Sequence, residues 1–169
     1  MYSIGDAVVY GTHGICEITG IENRSVDGKR VEYFVLVPKD ASGAKFFVPT
    51  HNPSALAKLR KLLTAPELEA LLRSDRARED GWIQDENRRK QYYRELIGSG
   101  DRAAIVSMVG SLHRHRQNQA KAGRKFHLCD ENFLRDAEKL LGAEFSLVLG
   151  IPLDQVGAYV EAAMGKENE

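Results

Sequence analysis

The sequence predicts an α+β fold, a small N-terminal antiparallel β-barrel followed by an all-α C-terminal helical bundle. Two observations carry this reading. Over roughly the first fifty residues, β-branched and aromatic residues alternate with polar ones between glycines, and from Ser54 onward apolar residues recur at helical spacing. At 169 residues the chain has room for a separate core in each half.

Residues 4–10, 14–22, 31–37 and 45–48 read as four strands. Asp27-Gly28 suits a tight hairpin between the second and third, because such turns need positive φ at their central positions. Asp40-Ala41-Ser42-Gly43 supplies the next turn. Pro49 and Pro53 are expected to stop the sheet, since proline has no N–H for a ladder. Short strands joined by tight turns over so few residues fit a strongly bent barrel of the SH3 or Tudor kind.

Ser54 is placed to cap a helix carrying Leu56, Leu59, Leu62 and Leu63, and Thr64, Pro66 and Glu67 open another through Leu72. Residues 73–81, RSDRAREDG, lack apolar spacing and suit a linker or a solvated helix end. A helix is expected from the region of Trp82 to Ile97. Asp101, after Gly98-Ser99-Gly100, caps the next, with Ile105, Val109 and Leu112 as its core stripe and a polar, basic end near Gly123. Asp130 is the expected cap of a helix with a wide apolar face from Phe133 to Val148. Gly150 and Pro152 end that helix, and a last one runs to about Met164. The expected division is a Tudor-like domain at 1–53, a helical connector at 54–81, a helical domain at 82–164 and a frayed tail at 165–169.

The net charge of zero conceals a local imbalance. Residues 82–126 carry ten Lys and Arg against four Asp and Glu, whereas residues 127–169 carry three against nine. A basic block of that size draws polyanions even in a neutral protein, unless the acidic last helices fold over it. Cys16 and Cys129 make no spaced pair, so reduced thiols and a cytoplasmic setting are expected. The apolar runs are too short for a bilayer and no basic-then-apolar leader is present, so no membrane is expected.

GxxxxGK, GxSxG, HExxH and CxxC patterns are absent. His113, His115, His127 and Cys129 are zinc-ligating types, but their spacing matches no knuckle and alternate residues on a helix point apart. The expectation is therefore a binding protein, not an enzyme, without metal or cofactor.

Residues 81–101, GWIQDENRRKQYYRELIGSGD, hold the only Trp and three adjacent cations, Arg88, Arg89 and Lys90. Successive helical residues fan out by more than a quarter turn, so at least two of these cations face solvent or a partner. A lone large aromatic at the edge of a basic helix can press on unstacked bases while Arg and Lys hold phosphates. Trp82 equally falls on the face of Tyr92, Tyr93 and Leu96, the pattern of a core stripe, and both readings stand. Arg94, Arg102, Arg114, Arg116, Lys121, Arg124 and Lys125 are further candidate phosphate contacts. The β module offers edge strands to a protein partner, and two weak contacts on one chain reinforce each other through effective concentration.

Ile4-Gly5-Asp6, Val8-Val9-Tyr10, His13-Gly14, Ile21-Glu22, Asp27-Gly28, Glu32-Tyr33-Phe34-Val35-Leu36, Val48-Pro49 and Leu59-Arg60 resemble the RNA polymerase-interacting domain of the CarD/CdnL transcription regulators. Trp82, Arg88-Arg89, Ser99-Gly100-Asp101, Leu112 and residues 140–144 resemble that family's helical domain. The resemblance implies a bacterial regulator whose Tudor-like module binds the RNA polymerase β subunit. Its helical domain would touch promoter DNA at the upstream edge of the melted region and stabilise the open complex, with a Trp wedged in the minor groove. Matched residue by residue, it implies Arg24 as a polymerase contact, and Val26 and Phe47 are the other residues expected on that surface. Trp82 is then the wedge, and Arg88 and Arg89 join Lys90, Arg94, Arg124 and Lys125 on DNA. A cytoplasmic monomer is expected. The alternative is a protein-only adaptor of polymerase or another partner, without direct DNA contact.

Overall fold

The computed structural model describes residues 1–40 and 42–165; Ala41, within the turn expected after Asp40, and residues 166–169 of the expected frayed tail lie outside the described residues. The chain divides into two compact units, Met1–Leu62 and Leu63–Glu169.

In the first unit β1 (Ala7–Tyr10), β2 (Ile15–Val26), β3 (Lys29–Pro38), β4 (Phe46–Pro49) and β5 (Leu59–Lys61) form one antiparallel sheet. Its order is β4-β3-β2-β1-β5, with α1 (Pro53–Leu56) as a single turn before the last strand. Strand alternation builds the core: Cys16 and Ile18 are buried while Glu17 and Thr19 between and beyond them are exposed. Every strand contributes, through Val8, Cys16, Ile18, Phe34, Leu36, Val48 and Leu59. A bulge between Ile18 and Gly20 interrupts the β2–β3 register and bends the sheet. Five antiparallel strands around one core, followed by helices, make the α+β arrangement the sequence predicts.

Asp27 (φ 50) and Gly28 (φ 76) make the expected two-residue turn, which sets Val26 opposite Lys29. Beyond the reach of β1 and β4, the β2–β3 pair continues as a two-stranded ribbon whose residues 21–30 are all exposed.

The prolines do not end the sheet. Asn52, not Ser54, caps the turn at α1, its Oδ1 accepting the N–H groups of Ser54 and Ala55 at 3.0 and 3.2 Å. Leu59, expected on a helix, lies in β5 opposite Tyr10 and is 4% exposed. The leucine spacing imitates a helix, but pairing with β1 and burial in the core of the β unit outweigh that local pattern. Residues 54–62 therefore complete the β unit, and residues 63–81, expected in the same connector, belong to the helical unit.

The second unit contains α2 (Ala65–Arg73), α3 (Asp75–Arg78), α4 (Glu86–Ser99), α5 (Arg102–Lys121), α6 (Leu128–Leu149) and α7 (Val156–Gly165), the last entered through a 3-10 turn at Leu153–Gln155. Thr64 and Glu67 form a reciprocal capping box on α2, and Asp101 caps α5 through the Ala104 N–H. Gly100 and Gly150, both at φ 67, end α4 and α6 in the left-handed conformation. Residues 73–81 are not a free linker. Ser74 caps α3, Ala77 is 1% exposed, and the Ser107 hydroxyl donates to the Glu79 carbonyl at 2.5 Å.

Two other sequence expectations shift. Trp82 precedes α4 instead of sitting in its first turn, because Asp85 accepts the Arg88 N–H and starts the helix there. Asp130 does not cap α6: the helix begins at Leu128, and Asp130 is buried inside its first turn. Its carboxylate is engaged elsewhere, as described below.

Two apolar clusters fill the helical unit. Leu68, Leu72, Ala77, Val106, Phe145 and Val156 make one, and Tyr93, Ile105, Met108, Leu112, Leu134 and Ala137 the other. The adjacent residues Ile105 and Val106 serve different clusters, so α5 is shared by both cores, as is α6 through Phe145 in the first and Leu134 and Ala137 in the second. Tyr93 is 1% exposed and its hydroxyl has no hydrogen-bond partner among the described residues. No single helix among the described residues is long and apolar enough to cross a membrane. Leu112→Ala should destabilise the helical unit by about 2–5 kcal/mol, whereas Tyr93→Phe, which removes an orphaned buried hydroxyl, should leave it as stable or more so; urea unfolding of the two variants checks both.

Candidate functional site

Trp82 is held by its neighbours on three sides of the chain. Residues 79–82 are fastened to α5: the Gly81 N–H donates to Ser111 Oγ at 3.2 Å, and the Ser111 hydroxyl donates to Asp80 Oδ1 at 2.9 Å. Asp80 in turn accepts the Trp82 N–H at 3.3 Å. The Ser111 hydroxyl, working against burial and helped by Arg114, holds the Asp80 carboxyl below the usual carboxylate range. The indole stacks on the His115 ring with centroids 3.7 Å apart and planes 18° from parallel, and its N–H donates to Gln84 Oε1 at 3.2 Å. The Phe126 ring lies 6.2 Å beyond His115. Three rings from residues distant in sequence thus form one run, with Trp82 half-buried at its end.

Arg89 contacts the same indole, its guanidinium carbon 4.4 Å from the ring centroid. The group is 3% exposed. Its Nε and one terminal nitrogen donate to the two oxygens of Asp130, each at 2.9 Å, while Nη1 donates to the carbonyls of Ile83 (3.0 Å) and Gln84 (3.3 Å). Asp130 is 0% exposed. Arg89 was expected on phosphates, and the structure corrects this: two buried charges satisfy each other, because an unpaired one would be costly to bury.

The other expected DNA-facing cations differ in availability. Arg88 and Arg94 are exposed and carry no ion pair among the described residues, but six positions apart on α4 they point in different directions. Lys90 is half-buried and pairs with Glu86 at 3.0 Å. Arg124 and Lys125 are exposed, just past the turn at Gly123 (φ 68), where Gln119 Nε2 donates to the Lys125 carbonyl at 3.3 Å. They adjoin Phe126 and hence the ring run. Of the wider set, Arg102 is engaged by the buried Glu144 at 2.9 Å, Arg114 by Asp80 at 3.5 Å and Arg116 by His113 Nδ1 at 2.9 Å; Lys121 is exposed. Among the described residues His113, His115, His127 and Cys129 do not converge on a common point that could hold a metal ion.

His115 and Asp130 were missed as partners of Trp82 and Arg89. A signal for His115 exists: it continues the spacing of Met108 and Leu112 along α5, so it falls on the core face. For Asp130 the only trace is an acid in the first turn of an apolar helix, where a cap is the commoner reason.

In the β unit, Arg24 is exposed on β2, its guanidinium 3.9 Å over the Phe47 ring and 3.2 Å from Glu22. Val26 lies two residues on, on the same strand face, and is 44% exposed. Arg24 and Val26 therefore share a face of the projecting ribbon, from which the Arg24 guanidinium reaches over Phe47 of β4.

Residues 2–63 match the family model of the CarD-like/TRCF RID domain. This segment is a CarD-like RNA polymerase-interacting domain, and the match supports a part in transcription regulation through RNA polymerase. It ends within two residues of the boundary between the two structural units.

Burial, reinforced by Arg89 and His127 and opposed by Asp130, moves the His115 pKa down from its ordinary value. The unfolded chain then takes up the proton at higher pH than the folded one, so stability falls as pH drops through the ordinary histidine range, near about 6.5. His115→Phe should flatten that loss, as measured by urea unfolding between neutral and mildly acidic pH.

Proposed function

We propose that this protein is a bacterial transcription regulator that binds the RNA polymerase β subunit through its N-terminal unit and contacts upstream promoter DNA through its helical unit, stabilising the open complex. The observation that carries the reading is the Trp82–His115–Phe126 ring run beside exposed Arg124 and Lys125, on a chain whose first 63 residues are matched as a polymerase-interacting domain from residue 2. Arg24, Val26 and Phe47 make the polymerase contact. Trp82 lodges at a partly unstacked step in the minor groove, and Arg88, Arg94, Arg124 and Lys125, with Lys90 at the margin, hold phosphates largely without regard to sequence. The protein acts in the cytoplasm, on nucleoid-bound polymerase, as a monomer.

The physics is one of weak links joined. An aromatic lodged at an unstacked step opposes reannealing, and each such step is worth a few kcal/mol. About tenfold in bubble lifetime follows from every 1.4 kcal/mol retained. Phosphate contacts make the DNA side sensitive to salt, and tethering to polymerase supplies the local concentration that a small number of such contacts needs.

One observation favours the adaptor reading instead. Arg76, Arg89, Lys90 and Arg102 are paired within the fold, to Asp101, Asp130, Glu86 and Glu144, which reduces the charge left for DNA. A footprint of purified polymerase on a promoter, with and without the protein, separates the two: the DNA-contacting reading requires added protection or altered reactivity at the upstream bubble edge, and the adaptor reading requires none.

Arg24→Glu should abolish pull-down of polymerase in a folded protein, and retained binding rejects that surface. Trp82→Ala should leave polymerase binding intact and shorten open-complex lifetime; an unchanged lifetime in a folded variant rejects the wedge. In competition assays across a salt series, Arg124→Ala should lower the slope of log affinity against log salt by about 1.

A further inference from the structure

We infer that Asp130 is a positioning residue for Trp82, acting through Arg89 to fix which part of the indole is presented to DNA. The inference rests on the wedge reading above but concerns a different link, between α6 and the irregular segment that precedes α4.

Trp82–Asp85 has no helical or strand ladder of its own. Its backbone is held at one end by Ser111 and Asp80, and over Ile83 and Gln84 by the Arg89 guanidinium, which donates to both carbonyls. That guanidinium also lies against the indole. Its plane is set from the far side by Asp130, which takes two parallel bonds at 2.9 Å. A bidentate fork fixes the rotation of a planar guanidinium in a way a single bond cannot. Lysine, a point charge with no fork, does not reproduce this.

Stability alone does not account for the arrangement. Buried ion pairs are often no better for stability than apolar residues of similar volume, and this site adjoins the apolar cluster of Tyr93, Ile105 and Leu134. What an apolar pair lacks is donors for the Ile83 and Gln84 carbonyls and a flat cation against the ring. The charge pair is therefore retained for geometry at Trp82.

The chain's single Trp makes the test direct, since all indole emission comes from the residue in question. Arg89→Leu/Asp130→Leu replaces the pair with apolar volume, and Arg89→Lys keeps the charge pair while losing the fork, so the two variants perturb the fold in different ways and each is first checked for folding by circular dichroism. In the folded variant, acrylamide quenching of indole emission should rise roughly two- to fivefold, the weight of one guanidinium–ring contact. Open-complex lifetime should fall toward that of Trp82→Ala, with polymerase pull-down unchanged. Unchanged quenching in either folded variant overturns the inference, even where Trp82→Ala shortens the lifetime. An indole that becomes accessible without any change in lifetime, in an assay where Trp82→Ala does shorten it, overturns it as well. If Trp82→Ala itself has no effect on lifetime, the wedge fails, and the quenching result still decides whether Asp130 positions the ring.

Discussion

The paired hydrogen bonds between Arg89 and Asp130 are the constraint on which the Trp82 end of the helical unit depends. Two full charges lie within a nearly dry site, 3% and 0% exposed, and stay there because each satisfies the other's demand for partners. Such a pair contributes little net stability, yet removing one partner typically costs about 3–5 kcal/mol, since the other charge is left stranded. The consequence is rigidity at a chosen place. The first turns of α4 and α6, 41 residues apart along the chain, are held in one register, and the irregular segment carrying Trp82 is pinned over that junction.

α5 is the second element of the same design. It supplies residues to both apolar clusters, anchors residues 79–81 through Ser107 and Ser111, and ends in the exposed turn before Arg124 and Lys125. His115 stands where its buried half gives way to its polar half. The stripe that stabilises the unit therefore runs directly into the ring that stacks on Trp82. In the β unit the corresponding transition lies along β2, whose first part is core and whose last six residues, from Ile21, are exposed ribbon.

Much of this was legible in the chain. The Asp27-Gly28 turn, the Thr64 and Asp101 caps and the Gly150 stop are all local signals, and each appears in the structure as its own physical chemistry dictates. β5 was hidden because three residues between a capped turn and a leucine-rich helix carry no period, and only the edge of β1 makes them a strand. The site was half legible for a similar reason. The sequence singles out Trp82 and the adjacent cations Arg88, Arg89 and Lys90, but which arginine faces solvent depends on a carboxylate 41 positions away. A run of adjacent cations shows that some must be exposed, not which; burial and pairing decide that, and both are long-range.

The pairing of the first strand with the last has a further meaning for synthesis. Val8 lies opposite Lys61 and Tyr10 opposite Leu59, so while the other ladders close between neighbours in the chain, this one spans nearly the whole unit. Closing so long a loop is entropically uphill and comes late. During synthesis the β1 edge therefore has no partner until Leu59–Lys61, the last strand in chain order, has been made.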